Sequence, residues 1–222
     1  MVQAKKNNMR DIFFPESSIS NRFVYRIIKR SLDFVIAGIA LLILSPFLLI
    51  VGLLVKYTSP GPVFYPWNVI GRGGRPFRGY KFRTMLQNAD ELKAQLLREN
   101  EMNGPVFKMK DDPRVTPLGR ILRKYSIYEL PQLWSVLKGD MSLVGPRPAF
   151  AAECERYEEW QRRRLSVTPG ITCLWQVNGR NQIVDFDEWV RLDLEYIDRW
   201  SLWLDVQILW RTLIVVIRGT GM

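Results

Sequence analysis

The sequence contains no histidine and only two cysteines, Cys154 and Cys173, among its 222 residues. Without histidine there is no Ser-His-Asp triad, no histidine general base and no histidine-ligated zinc or iron site. Two cysteines are too few for a four-cysteine zinc site or a disulfide scaffold, which favours a reduced compartment. Any chemistry must therefore come from carboxylates, lysine, arginine, tyrosine or hydroxyl groups.

Acidic residues are in the minority: 22 Asp and Glu stand against 32 Lys and Arg, for a formal net charge of +10. This excess favours partners that carry phosphate, such as nucleic acid, an anionic membrane surface or a phosphorylated substrate. Because the sequence has no recognisable nucleic-acid recognition helix or RNA-binding motif, we expect no nucleic-acid partner. Hydrophobic residues make up 47% of the chain, which is enough to build a folded core.

One long stretch carries no charge, from Phe34 to Val55. At about 1.5 Å per helical residue it can cross a bilayer core of about 30 Å, and it is too long for a signal peptide. Ser45 and Pro46 interrupt it near its midpoint, where proline removes a backbone donor. Basic residues flank both ends, and the positive-inside rule places both flanks in the cytoplasm. The sequence therefore predicts a re-entrant helix-break-helix hairpin over 26–56, with its break at Ser45 and Pro46.

Three tryptophans, Trp200, Trp203 and Trp210, lie among aliphatic residues near the C-terminus. Their spacing places them on one face of a helix. Such a face is typical of the lipid headgroup layer, where an indole satisfies both its apolar ring and its N–H group. Packing of the same face on the protein's own core is the alternative, and the sequence leaves both open.

The remainder of the chain alternates short apolar pieces with Pro and Gly, and it has no internal repeat. We predict a mostly helical α/β fold, in which a small cytoplasmic catalytic body over 57–222 is attached to the membrane hairpin. Residues 1–25 form an N-terminal segment, and the C-terminal helices are expected to be amphipathic and interfacial.

Several motifs follow one another from about Arg26 to the C-terminus: KRSLDF, SPGPVFY, YKFRTM, ELPQLW, KGDMSLVGPRP and PGITCLWQVNGRN. In this order they resemble the bacterial sugar transferase family, the monotopic polyprenyl-phosphate phosphoglycosyl transferases. Any one of these motifs is weak, but their joint occurrence is very specific.

The resemblance implies transfer of a sugar-1-phosphate from a UDP-sugar to polyprenyl (undecaprenyl) phosphate, with release of UMP. This is the first membrane step of exopolysaccharide, O-antigen and glycoconjugate assembly. It also implies Mg²⁺ as cofactor and an Asp-Glu dyad in the pattern S-x-D-E-L-P, whose Asp attacks the phosphate that carries the sugar. The implied location is the cytoplasmic face of a bacterial inner membrane, in contact with phospholipid. The oligomeric state and the identity of the sugar are left open.

The sequence departs from that pattern at its centre, because Tyr128 stands where the family has its nucleophilic Asp. A carboxylate is ionised at neutral pH whereas a phenol is not, and a phenol also reaches further. Three interpretations follow: a catalytically inactive form that binds without turnover, a tyrosine nucleophile, or chemistry carried by another carboxylate or by direct transfer. The neighbouring Glu129 is retained and is predicted to be catalytic and a metal ligand.

The resemblance also assigns roles to residues around the dyad. The candidates for binding substrate phosphate are Lys81, Arg83, Arg123 and Arg147, since arginine suits bidentate phosphate contacts and lysine acts as a point charge. Asp140 is a candidate second metal ligand, and Arg180 and Asn181 are candidates for contact with nucleotide or sugar.

Overall fold

A single long helix precedes a body of short helices and two small sheets. The computed structural model describes residues 19–179 and 182–221. The α-helices in chain order are α1 (Ile19–Thr58), α2 (Ala89–Lys93), α3 (Pro117–Lys124), α4 (Leu133–Lys138), α5 (Ala151–Cys154), α6 (Glu159–Arg162), α7 (Leu174–Val177), α8 (Phe186–Arg199) and α9 (Leu202–Arg218). The strands are β1 (Phe64–Ile70), β2 (Pro76–Phe82), β3 (Ser142–Val144) and β4 (Gly170–Thr172). Short 3₁₀-helices cover Arg72–Gly74, Ala94–Glu99, Ile127–Gln132 and Arg163–Ser166. The predicted mostly helical fold is confirmed.

Helix α1 runs through Pro46 without interruption, so the predicted break at Ser45 and Pro46 is corrected to one continuous helix. Proline cannot donate to the carbonyl of Leu42, four residues earlier. The Ser45 hydroxyl donates to that same carbonyl at 2.8 Å. The lost backbone donor is thus replaced by a side chain, which is one way that proline is accommodated inside an apolar helix.

Helix α1 packs against the body along both of its halves. Ala37 in the first half and Val51 and Val55 in the second are buried, whereas Leu42 and Ile43 on another side are 77% and 69% exposed. By length and composition, 23–58 is the one stretch among the described residues that could cross a membrane. The helix therefore has a narrow stripe against protein and a broad apolar face without protein contacts.

The two sheets are small and differ in type. Strands β1 and β2 form an antiparallel hairpin in which Trp67 lies opposite Gly79. A side chain at Gly79 would place its Cβ 2.3 Å from the Trp67 indole nitrogen, so only glycine admits this tryptophan. Strands β3 and β4 form a short parallel pair beneath helix α9.

Three apolar clusters form the core. The first is built on the stacked rings of Trp175 and Trp189, whose centroids are 4.0 Å apart. The second joins α4, β3, α8 and α9 to Ala37 of α1. The third places Phe82 of β2 against Val51 and Val55 of α1. Helix α1 is therefore part of two of the three clusters.

Helix α9 begins after Ser201, whose hydroxyl accepts a hydrogen bond from the backbone N–H of Leu204. Trp203 and Trp210 are 68% and 65% exposed, but Trp200 precedes the helix and packs against the second cluster. The predicted face of three indoles is corrected, because Trp200 belongs to the core and only the other two are exposed.

Candidate active site

The candidate dyad lies on the 3₁₀-helix Ile127–Gln132, which packs against β2. This short helix follows Ser126, which has φ 54° and ψ 17°, a left-handed conformation that is rare outside glycine. No other non-glycine residue in the described part of the chain has positive φ. Such conformations persist only where the surrounding structure holds them, and they concentrate at functional sites.

Lys81, at the end of β2, is held between an acidic and an aromatic partner. Its Nζ atom donates to Glu129 Oε1 at 3.0 Å, and both side chains are buried. The same Nζ lies 3.8 Å from the centroid of the Trp67 ring, within cation–π range. The ammonium group is therefore kept in one position by contacts on two sides.

Tyr128 lies between two cations. Its ring centroid is 5.3 Å from Lys81 Nζ and 5.7 Å from the guanidinium carbon of Arg123. The Arg123 Nε donates to the Thr84 hydroxyl at 3.0 Å. Burial lowers the pKa of Arg123 from its usual value. A group bound at this point meets two fixed positive charges.

Tyr128 also packs against the third apolar cluster, which contains Val51 and Val55 of helix α1. The ring is half-buried. The dyad position therefore lies directly beside the second half of the apolar helix.

The Arg83 guanidinium is hydrogen-bonded to backbone carbonyls, unlike a cation that is free to bind phosphate. Its guanidinium donates to the backbone carbonyls of Ser59 at 2.8 Å and of Pro60, just after the end of α1. Terminal carbonyls of a helix have no partners within the helix, and a cation at that end is favourable. In the structure Arg83 fastens α1 to β2.

Arg147 lies at a different part of the body. Its guanidinium carbon is 5.5 Å from the Trp189 ring centroid and 6.0 Å from that of Trp175. Burial raises the pKa of the nearby Glu153 carboxyl, opposed by a hydrogen bond from the Phe150 N–H and by the charge of Arg147. Phe150 in turn meets Trp67 edge-on at 5.9 Å, which connects this region to the Lys81 site.

The two candidate metal ligands lie at opposite ends of α4. Glu129 comes before the helix, whereas Asp140 follows it and pairs with Lys138 at 2.8 Å. Among the described residues, no group of three or more acidic or cysteine side chains is placed to hold a metal ion. Arg180 and Asn181 lie outside the described residues.

Sequence reasoning missed Trp67, the aromatic partner of Lys81. The signal was the hairpin register, since Trp67 pairs with Gly79 and Lys81 lies two residues further along β2 on the same face. Glu153 was also missed, and its surrounding sequence carries no motif that identifies it.

The sequence matches the family model described as "Bacterial sugar transferase" over residues 24–219. It is 50% identical over 206 residues to the galactosyl transferase CpsE of Streptococcus agalactiae serotype III, covering 90% of this chain and 44% of that protein. It is 45% identical over 205 residues to the undecaprenyl-phosphate galactose phosphotransferase of Salmonella typhimurium, covering 88% and 42%.

The exopolysaccharide production protein ExoY of Rhizobium meliloti is 39% identical over 225 residues, with 100% of this chain and 99% of that protein covered. The chain thus spans less than half the length of the first two relatives and nearly all of this third one. Together with the family match over most of its length, these similarities show that the chain belongs to the bacterial sugar transferase family.

Proposed function

We propose that the site is built to transfer a sugar-1-phosphate from a UDP-sugar to polyprenyl phosphate, as an early membrane step of exopolysaccharide or related glycan assembly. The family supports this, as does the name of the Salmonella relative, undecaprenyl-phosphate galactose phosphotransferase. The observation that carries the proposal is the position of the dyad. Lys81, Arg123 and Glu129 lie around Tyr128, which packs against the apolar cluster that includes Val51 and Val55 of helix α1.

This position suits a reaction between a water-soluble and a lipid-linked phosphate. The nucleotide sugar approaches from water and its diphosphate needs cations, which Lys81 and Arg123 provide. The acceptor phosphate is attached to a hydrocarbon chain, and Val51 and Val55 lie beside the same point. Charge-assisted contacts of this kind are among the stronger hydrogen bonds in proteins.

Glu129 is the residue we propose to hold Mg²⁺. The ion is usually bound through one or two carboxylates together with substrate phosphates and water, so a single buried carboxylate beside phosphate-binding cations fits a metal that is shared with the diphosphate. When bound, Mg²⁺ offsets the negative charge of the diphosphate. Lys81 holds the Glu129 carboxylate in position until the substrate arrives.

We further propose that Tyr128 leaves this chain able to bind its substrates but without an efficient covalent step. The phenol ring fills the space between Lys81 and Arg123 and packs on the apolar cluster. A neutral phenol at neutral pH is a poor nucleophile compared with a carboxylate. Chain and family therefore share a binding site but differ at its reactive atom.

The packing of α1 supports attachment to one face of a membrane, which we propose is the cytoplasmic face of a bacterial inner membrane. Asp33 in the first half accepts a hydrogen bond from the Ser142 hydroxyl at 2.7 Å, while Val55 in the second half is buried against the same body. A helix that crossed the bilayer would carry this charged body into hydrocarbon. We therefore propose that both ends of α1 stay on the same side.

Helix α9 supports the same orientation. Its exposed apolar side chains recur every three or four residues and form one stripe: Trp203, Val206, Trp210, Leu213 and Ile217. We propose that this stripe lies in the headgroup layer, where exposed tryptophan is favourable.

Binding of UDP-sugar in the presence of Mg²⁺, measured by isothermal titration calorimetry on the full chain, tests the proposed site. Lys81→Ala and Arg123→Ala are each expected to weaken binding about tenfold or more, because each removes a charge-assisted contact of about 1.5–3 kcal/mol. Lys138→Ala is the matched control, since Lys138 is 49% exposed and pairs with Asp140 on the surface. Equal affinities for Lys81→Ala and Lys138→Ala would refute the assignment of Lys81.

A further inference from the structure

A second cavity lies away from the dyad, beside the first half of α1. Its volume is about 560 Å³, and it is enclosed by the start of α1, the turn after α4, residues 166–168 and the end of α8. Neither Tyr128 nor Glu129 lines it, and Tyr128 packs instead against the third apolar cluster, which includes Val51 and Val55 in the second half of the same helix. The cavity is therefore a separate site.

The lining of the cavity has more positive than negative charge. Four cationic residues and one carboxylate line it: Arg26, Lys29, Arg30, Arg72 and Asp33. Lys29 pairs with Asp205 at 2.6 Å and lies 3.8 Å from Asp33. Arg30 donates to the carbonyls of Val136 and Leu137 at 2.5 and 2.7 Å, which satisfies its hydrogen bonds but leaves its charge. An anion that enters the cavity therefore meets a net positive field.

Apolar residues lie on the α1 side of the cavity. Phe23 and Ile27 line it and are 63% and 52% exposed. Both belong to the stretch that is apolar enough to enter a membrane. A ligand with a phosphate at one end and hydrocarbon at the other matches this division between cationic and apolar lining.

We propose that this cavity binds the phosphodiester headgroup of an anionic membrane phospholipid, with Arg72 contacting phosphate and the acyl chains lying along Phe23 and Ile27. Basic pockets next to membrane helices bind anionic lipid headgroups by the same combination of charge and apolar contact. The proposal rests on the membrane attachment proposed above but not on transfer activity. Its role is to fix the first half of α1 at the membrane surface.

Native mass spectrometry of the full chain, released from a neutral detergent with equimolar phosphatidylglycerol and phosphatidylcholine, tests the proposal. One retained phosphatidylglycerol is expected, preferred about fivefold or more because of the excess positive charge. Arg72→Gln should reduce this retention about threefold or more, since it removes one phosphate contact. Arg75→Gln is the control, because Arg75 lies in the same exposed turn but does not line the cavity.

The remaining variants and competition measurements distinguish between the possible ligands of the cavity. Lys81→Ala should retain lipid like the unmodified chain, whatever its effect on UDP-sugar binding. Equal retention of the two lipids, or equal loss in Arg72→Gln and Arg75→Gln, would overturn the proposal. Displacement of the lipid by inorganic phosphate would assign the cavity to a free anion. Displacement by UDP-sugar would assign the cavity to the transfer reaction. Either result would also overturn the proposal.

Discussion

Position 128 carries a tyrosine where the resemblance to the family implies an aspartate nucleophile. The groups around Tyr128 suit a negatively charged substrate. Lys81 and Arg123 lie beside the ring, and Glu129 is next in sequence. The retained groups explain why substrate binding is expected to survive the substitution. Because position 128 carries no carboxylate, we do not expect the covalent step to survive.

Arg83 belongs to the same YKFRTM motif as Lys81, but its role in the structure is different. Its guanidinium is engaged by carbonyls after the end of α1. We expect Arg83→Ala to lower the free energy of unfolding by about 1–3 kcal/mol, because the carbonyls of Ser59 and Pro60 lose their donor. Its affinity for UDP-sugar should stay within about twofold of the unmodified chain, a change below 0.5 kcal/mol. Denaturant unfolding and calorimetry measure the two quantities, and a tenfold loss of affinity with unchanged stability would show that Arg83 binds phosphate.

The segment that directly precedes helix α3 is held in place by a buried ion pair. Arg114 binds both carboxylate oxygens of Asp112, at 2.9 and 2.7 Å, and also donates to the Ala89 carbonyl. Burial alone would raise the pKa of Asp112, but the hydrogen bonds and charge of Arg114 outweigh it and lower the pKa below its usual value. This pair positions the strand-like segment before Thr116, the N-cap of α3.

The sign of the pH dependence follows from that lowered pKa. The pair contributes fully above the ordinary carboxyl pKa of about 3.9, and its contribution is lost as the pH falls through the lower pKa of the folded state. Asp112→Asn should destabilise the fold by about 3–5 kcal/mol at pH 7, because Arg114 remains buried without its counter-charge. The difference between the variant and the unmodified chain should shrink below pH 4. Urea unfolding from pH 7 to pH 3 measures it, and a constant difference over that range would contradict the assignment.

The ends of α1 provide a test of topology. With the buried Cys154 and Cys173 replaced by alanine, single cysteines at Asn21 and Lys56 should both be protected from a membrane-impermeant reagent in intact cells. Replacing Ser45-Pro46 by Leu-Leu removes the proline and should favour a spanning helix, which exposes one end. Labelling of one end in the chain without the Leu-Leu change would establish a span and contradict the proposed orientation.

Elements with strong local signals were predictable from sequence. Helix α8 (Phe186–Arg199) is one of them, since Asp185 directly before it is a typical N-cap residue. The continuity of α1 was not predictable from proline alone, because it depends on the Ser45 hydroxyl adopting a particular rotamer. The motif residues Lys81 and Glu129 were expected near each other, but Trp67 and the engagement of Arg83 depend on tertiary contacts. Local patterns thus gave the elements and most of the site, while contacts across the sheet and with α1 had to be observed.

The molecule as a whole has a charged body on one side and apolar surfaces on the other. The apolar face of α1 and the stripe of α9 are exposed, and the two helices are joined through the Lys29–Asp205 ion pair at 2.6 Å. A formal net charge of +10 favours approach to an anionic membrane surface. The dyad lies beside α1, where a soluble nucleotide sugar and a lipid-linked phosphate can both reach it.

The most direct test is the transfer of radiolabelled sugar-1-phosphate from a panel of UDP-sugars to undecaprenyl phosphate with Mg²⁺, with UMP release followed in parallel. We expect slow transfer by the chain and an increase of several orders of magnitude in Tyr128→Asp, since loss of a catalytic nucleophile can cost about 10⁶ in kcat. A phosphosugar adduct should be trapped only on the Asp variant, and Tyr128→Phe should resemble the unmodified chain. If instead the unmodified chain transfers as fast as Tyr128→Asp and Tyr128→Phe abolishes transfer, the phenol is the nucleophile and the account of Tyr128 is contradicted.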